Sequence, residues 1–175
     1  KAPEKWQGEI LVPFAIEAPL SGVERRLLPE EYLWYSREFP LERKEGQRYL
    51  LHFEAVDYES TVWVNGTEVG SNTGGNLPFA LDITDAAQSG SNEVIVRVSD
   101  GTDTGHQLHG KQVLNPGGIW YTPVSGIWQT VWMEEVPDTY LSDIKVTTKT
   151  SGRVEIRLGI EGGGRADAAA PVRLG

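Results

Sequence analysis

The residues best equipped for chemistry lie in one long irregular stretch, Asp100–Pro123, which is punctuated by Gly101, Gly105, Gly110, Pro116, Gly117 and Gly118. It carries Lys111, Gln112, Trp120 and Tyr121. An indole and a phenol present flat apolar faces on which a ligand ring can stack, while an ammonium and a carboxamide can hydrogen-bond hydroxyls or a carboxylate. The competing reading makes Lys111 and Gln112 a solvated loop tip and leaves the rings as packing. Loops of this length are either functional or disordered. Rings are costly to leave free in water, so the stretch predicts an ordered functional loop.

Other candidate chemistry is weaker. His106 and His109 form H-x-x-H, which is metal-like on a helix or beside further ligands. The Gly, Thr and Gln residues around them argue against a helix. A structural Ca²⁺ site would draw on Asp57, Asp82, Asp100 and Asp103, although no loop has dedicated ligand spacing. Glu30-Glu31 and Glu134-Glu135 are adjacent, so on a strand they point to opposite faces and cannot act together as a facing acid/base pair. Ser125-Gly126 lacks the flanks of a nucleophile elbow. Gly162–Gly164 lacks the lysine and following helix of a phosphate loop. The sequence therefore predicts no catalytic set and no metal or cofactor beyond that possible Ca²⁺.

Bulk properties narrow the partners. The chain has 175 residues and a formal net charge of −9, with no basic patch, which argues against nucleic acid. No apolar run approaches the ~20 residues of a membrane-spanning helix. Cysteine is absent, which removes disulfides and thiolate metal sites. The chain starts at Lys1 without Met, so the natural N-terminus is expected to lie upstream.

The elements that must position the loop read as strands. Val62 and Val64 point one way along an extended chain, and Thr61, Trp63 and Asn65 the other. Asn65-Gly66 is a strong two-residue turn signal, because a type I′ turn needs positive φ at both central positions. Asn65-Gly66-Thr67 also matches a glycosylation acceptor, but a turn-forming Asn is the better reading. Further strand-like runs are Gly8–Val12, Leu33–Phe39, Arg48–Val56, Phe79–Ile83, the stretch around Val94, Val96 and Val98, then Ile127–Val136, Leu141–Lys149 and Arg153–Ile160. One helical turn is expected within Leu81–Ala87, capped by Thr84 or Asp85. Turns at roughly ten-residue intervals are the pattern of an antiparallel sandwich. Trp34, Trp63, Trp128 and Trp132 are expected in the core, where truncating Trp63 to alanine would cost about 3–5 kcal/mol. A boundary falls near Val136-Pro137-Asp138, giving a domain over 1–137 and the start of a second over 138–175. Some 38 residues cannot build a core of their own.

Six motifs, in order, carry a resemblance: ILVPFAIEAPLSGV, LWYSREF, FEAVDYESTVWVNGTEVG, GGNLPFALDIT, NEVIVRVSD and GIWYTPVSGIWQTVWMEEV. From Glu9 to about Val136 the chain resembles the N-terminal sugar-binding domain of glycoside hydrolase family 2, the family of β-galactosidases, β-glucuronidases and β-mannosidases. The remainder, from YLSDIKVTTKT, is similar to the first strands of the immunoglobulin-like domain that follows in that family.

The resemblance implies an all-β fold: a jelly-roll β-sandwich of the galactose-binding type, followed by a truncated immunoglobulin-like segment. It implies a non-catalytic piece of a larger retaining glycosidase, whose two carboxylates sit on a (β/α)₈ barrel further along. Partners would be carbohydrate and that barrel, and location would be periplasmic or secreted. In some β-galactosidases the hairpin Asn reaches the active-site rim, which maps onto Asn65. The acidic residue that those enzymes place before the last motif's aromatic is Ile119 here, before Trp120. Asn72 and Asn76 stand where many members have His and Tyr. A free-standing carbohydrate-binding module and a purely structural interaction module are the rival readings. The tail from Leu141 to Ile160 is expected to lie along the sandwich or to pair with a second copy, since unpaired edges invite partners.

Overall fold

A computed structural model describes residues 2–162. Its eleven strands are β1 (Leu33–Leu41), β2 (Gln47–Phe53), β3 (Val56–Asp57), β4 (Glu59–Val64), β5 (Thr67–Thr73), β6 (Phe79–Asp82), β7 (Gly90–Ser99), β8 (Gly126–Ile127), β9 (Val131–Pro137), β10 (Thr139–Thr148) and β11 (Val154–Gly162). One 3₁₀ turn, Pro19–Ser21, precedes them. Two antiparallel sheets, ordered β1-β7-β4-β5 and β6-β2-β9, face each other as a sandwich. The short pair β3-β8 lies at one end.

Period-two burial builds this core. Val62 and Val64 on β4, with Val96 and Val98 on β7, turn inward to meet Tyr49, Leu51 and Phe53 of β2. Asn65 and Gly66 take φ of 49° and 80°, the paired positive values that a tight hairpin between β4 and β5 requires. The expected helical turn is a single turn in which Ala87 N–H donates to Ile83 C=O at 2.8 Å. Its cap is Asp82, whose Oδ1 accepts from Thr84 N–H at 2.9 Å, rather than Thr84 or Asp85.

Several expectations are corrected. Gly8–Val12 is not a strand: Ile10 and Val12 pack against the core, but the backbone finds no ladder partner beyond Leu11 N–H to Ser21 C=O at 2.8 Å. The run Ile127–Val136 is broken at Trp128–Thr130, where the chain leaves β3 and joins β2. At that corner Trp128 N–H reaches Ala55 C=O at 3.4 Å and Glu54 N–H reaches Thr130 C=O at 3.0 Å.

The tryptophans are also elsewhere. Trp34 and Trp63 lie on the outer face of the four-stranded sheet, stacked at 5.8 Å, with the Arg97 guanidinium 5.8–6.0 Å from both rings and 5.2 Å from Tyr32. Both rings are half-buried, so losing Trp63 removes a surface stack, not a core side chain. Trp132 is exposed on the opposite outer face, stacked 4.0 Å from His52, and its indole N–H donates to Glu54 at 2.8 Å. Trp128 is half-buried and its N–H donates to Gly75 C=O at 2.8 Å. In each case the indole N–H or the ring face has a polar partner, which a sealed core would deny it.

Beyond Pro137 the chain does not settle along the sandwich. The Asp138 N–H donates to Gly46 C=O at 3.0 Å, and then, among the described residues, β10 and β11 pair only with each other. Their cross-strand pairs Leu141/Ile160, Ile144/Leu158 and Val146/Ile156 share one face, while Lys145/Arg157 and Thr147/Glu155 share the other. Leu141 and Ile144 are three residues apart, so plain alternation would split them. The irregularity between Leu141 and Asp143 keeps them in phase. Every member of the apolar face is at least 43% exposed.

Candidate functional site

The loops of functional interest gather at the end of the sandwich where β4 begins and β7 finishes. Glu59 pairs with Ser99 there, and β3-β8 closes the same end. Two clefts flank Tyr58. The larger, about 420 Å³, runs between Glu59, Ser99 and the Gly101–Gln107 turn. The smaller, about 310 Å³, lies between Asn72, the Gly74–Pro78 loop and Leu108.

The long loop is ordered by its own hydrogen bonds. Tyr121 N–H donates to Lys111 C=O at 2.8 Å and Val113 N–H to Tyr121 C=O at 3.1 Å. These bring Lys111, Gln112, Trp120 and Tyr121 together as a strap, with the Lys111 ammonium 5.8 Å from the Tyr121 ring centre. The Gln112 carboxamide turns inward, and its oxygen accepts from Val124 N–H at 2.6 Å. Lys111, Trp120 and Tyr121 remain exposed, the indole at 46% and the phenol at 62%. The four residues line neither cleft. His109 Nδ1 lies 2.9 Å from Gln112 C=O, and no helix forms around it.

Asn65 is set apart from this group. It lies at the far end of β4, and six strand residues span roughly 20 Å. Its amide donates to Ala86 C=O at 2.9 Å and to Asn92 Oδ1 at 2.8 Å, and its oxygen accepts from Glu93 N–H at 3.0 Å. The side chain ties the hairpin to the start of β7.

Beneath the loops lies a feature that local spacing does not reveal: three buried carboxylates from distant parts of the chain. Glu17 accepts from Ser125 N–H at 2.9 Å and Leu27 N–H at 3.3 Å. Asp100 accepts from Ser125 Oγ–H at 2.7 Å, from Gln107 Nε2–H at 2.6 Å and from Thr102 N–H at 2.7 Å. Asp57 is only 5% exposed, and its fully buried Oδ1 has no hydrogen-bond partner among the described residues. Burial, with smaller contributions from Asp100 and Glu17, pushes the Asp57 carboxyl up to about 7. Burial also raises Glu17, against the opposing effect of its donors. Among the described residues, no group of three or more His, Cys, Asp or Glu has the arrangement to hold a metal. Asp82 lies elsewhere, paired with Arg48.

These features define an all-β protein, an antiparallel sandwich with an aromatic and polar loop cluster at one end. The chain belongs to the glycosyl hydrolases of family 2: residues 13–137 match the model of that family's sugar binding domain. The β-glucuronidase of Canis lupus familiaris is 30% identical over 154 residues, covering 75% of this chain and 24% of that protein. A β-galactosidase of Thermoanaerobacter pseudethanolicus is 31% identical over 112 residues, covering 63% of this chain and 14% of that protein. Among solved structures, Ruminococcus gnavus β-glucuronidase aligns with a TM-score of 0.67 at 26% identity, covering 87% of this chain and 27% of that one. The chain thus spans only 14–24% of the length of these curated relatives.

Proposed function

We propose that this chain is the non-catalytic N-terminal part of a larger family 2 glycosidase. It braces the catalytic barrel and presents the Lys111–Tyr121 strap at the rim of the carbohydrate site. The family match over residues 13–137 carries this reading. The clefts add support. Retaining hydrolysis needs two carboxyl groups about 5 Å apart across the glycosidic bond. The larger cleft is lined by one carboxylate, Glu59, and the smaller by none. The chain is therefore expected to give no turnover of nitrophenyl β-glycosides above background. Sustained release of nitrophenol from a barrel-free preparation overturns this.

The exposed Trp120 and Tyr121 favour a second reading, a module with sugar affinity of its own. Titration calorimetry against oligosaccharides separates the two. A bracing domain gives no heat, while a binding module gives a saturable signal that Trp120→Ala abolishes.

The β10-β11 ribbon is proposed as the opening hairpin of the immunoglobulin-like domain, its apolar face covered by the strands that follow in the parent chain. The 175-residue chain is then expected to sediment as a monomer with a ribbon open to protease. A stable dimer that Ile156→Lys dissociates would instead assign the face to a second copy.

A further inference from the structure

Asp57 joins the two loop systems from below, and its surroundings suit only one of its protonation states. On one side its carboxyl is pressed against Gly75, so closely that a Cβ there would overlap it. The Gly74–Pro78 loop is seated through Gly74 N–H to Tyr58 C=O at 3.0 Å and Trp128 Nε1–H to Gly75 C=O at 2.8 Å. On the other side, Asp100 and Glu17 clasp Ser125 at the end of the long loop. The hydrogen bonds from Thr102 N–H, Gln107 and Leu27 N–H go to Asp100 and Glu17, and among the described residues none reaches the buried Oδ1 of Asp57; the buried hydroxyls of Ser60 and Thr102 are likewise unpaired. Among the described residues, no lysine, arginine or histidine forms an ion pair with any of the three carboxylates.

We propose that Asp57 is a proton-operated latch: neutral, it lets the Gly74–Pro78 loop close on the base of the long loop, and ionised, it lifts that loop and widens the smaller cleft. A carboxylate without donors in a poorly polarisable site, beside two further negative charges, must gain water. The Gly75 face can yield, because it is held by three backbone-directed hydrogen bonds, made by Gly74 N–H, Trp128 Nε1–H and, at 3.3 Å, Asn72 Nδ2–H. The Asp100 and Glu17 side is held by five. The sign follows from linkage. Closing the loop raises the carboxyl's affinity for its proton, so the closed state is favoured below the midpoint and lost as pH rises through it. Between the ordinary carboxylate range, where the open form titrates, and the midpoint of the closed form, the open-to-closed ratio grows about tenfold per pH unit; it levels off above that midpoint, where both forms are ionised.

The test is hydrogen exchange of the 175-residue chain between pH 5.5 and 8.5, corrected for intrinsic rates, with ¹³C carboxyl NMR alongside. The expected result is an Asp57 midpoint near 7 and protection over residues 70–80 that falls as pH rises from 5.5 through it and then levels off, while β7 stays unchanged. Asp57→Asn should hold the low-pH protection at every pH. Should that variant not fold, Asp100→Asn serves instead, and by removing a neighbouring charge it should lower both the NMR midpoint and the pH of loop opening. An Asp57 midpoint below 5, or a loop whose protection ignores the titration, overturns the latch.

Discussion

Phe53→Ala is expected to cost about 3–5 kcal/mol, the range for truncating a sealed aromatic side chain. Phe53 is 1% exposed and stacks on Phe79 with 5.0 Å between ring centres and 9° between planes. It sits on the middle strand of the β6-β2-β9 sheet, opposite Phe79 on one side and Val131 on the other. Urea unfolding with an unchanged m-value would read the loss directly. A shift under about 1.5 kcal/mol would mean that the two sheets close over the gap, and that the core is less tightly specified than its burial indicates.

Gly126→Ala should be comparably damaging, for a different reason. Gly126 has φ of 81°, which costs a residue with a Cβ about 1–2 kcal/mol. That Cβ would also overlap the Tyr35 hydroxyl and lie 2.9 Å from Leu33 Cδ2. Tyr35 cannot swing aside, because its oxygen accepts the N–H of Ile127, the next residue, at 3.1 Å. Burial of that phenol raises its pKa, as expected of a hydroxyl sealed between the sheets. With about 1–3 kcal/mol for the overpacking, the total is about 2–5 kcal/mol. Gly66→Ala is the control: φ is 80° but the space is open, so only the backbone component should appear. Equal losses at the two positions would show that the Tyr35 contact carries no weight.

The inward set Val62, Val64, Val96 and Val98 was legible from alternation, and the Asn65-Gly66 turn from its backbone demand. Both are local rules. Alternation says which residues share a face but not which face is sealed. Trp63 falls opposite the buried valines, so its size suggested a core position that its place on β4 denies. Gly8–Val12 failed for a related reason: apolar residues report burial, while a strand also needs a run of neighbouring backbone, and among the described residues only Ser21 C=O meets it, at Leu11 N–H. At the loop end, composition was enough to predict order around Trp120 and Tyr121. The inward role of Gln112 was not readable, since its partner Val124 is met only after the chain has looped back. Glu17, Asp57 and Asp100 lie forty or more positions apart at each step, and no motif announces that Ser125 joins two of them.

The clamp on Asn65 bears on chemical ageing. An Asn followed by Gly is the dipeptide most prone to lose its amide nitrogen through a cyclic imide, a reaction in which the backbone nitrogen of Gly66 must attack the side-chain carbonyl. Here both amide hydrogens and the oxygen are already committed to Ala86, Asn92 and Glu93. The carbonyl is thereby held away from the attacking geometry while the domain is folded. Conversion to Asp would set a carboxylate against the Ala86 and Asn92 oxygens, prising the hairpin from β7. The same three contacts that align the strands therefore preserve the molecule over its lifetime, and unfolding starts its clock.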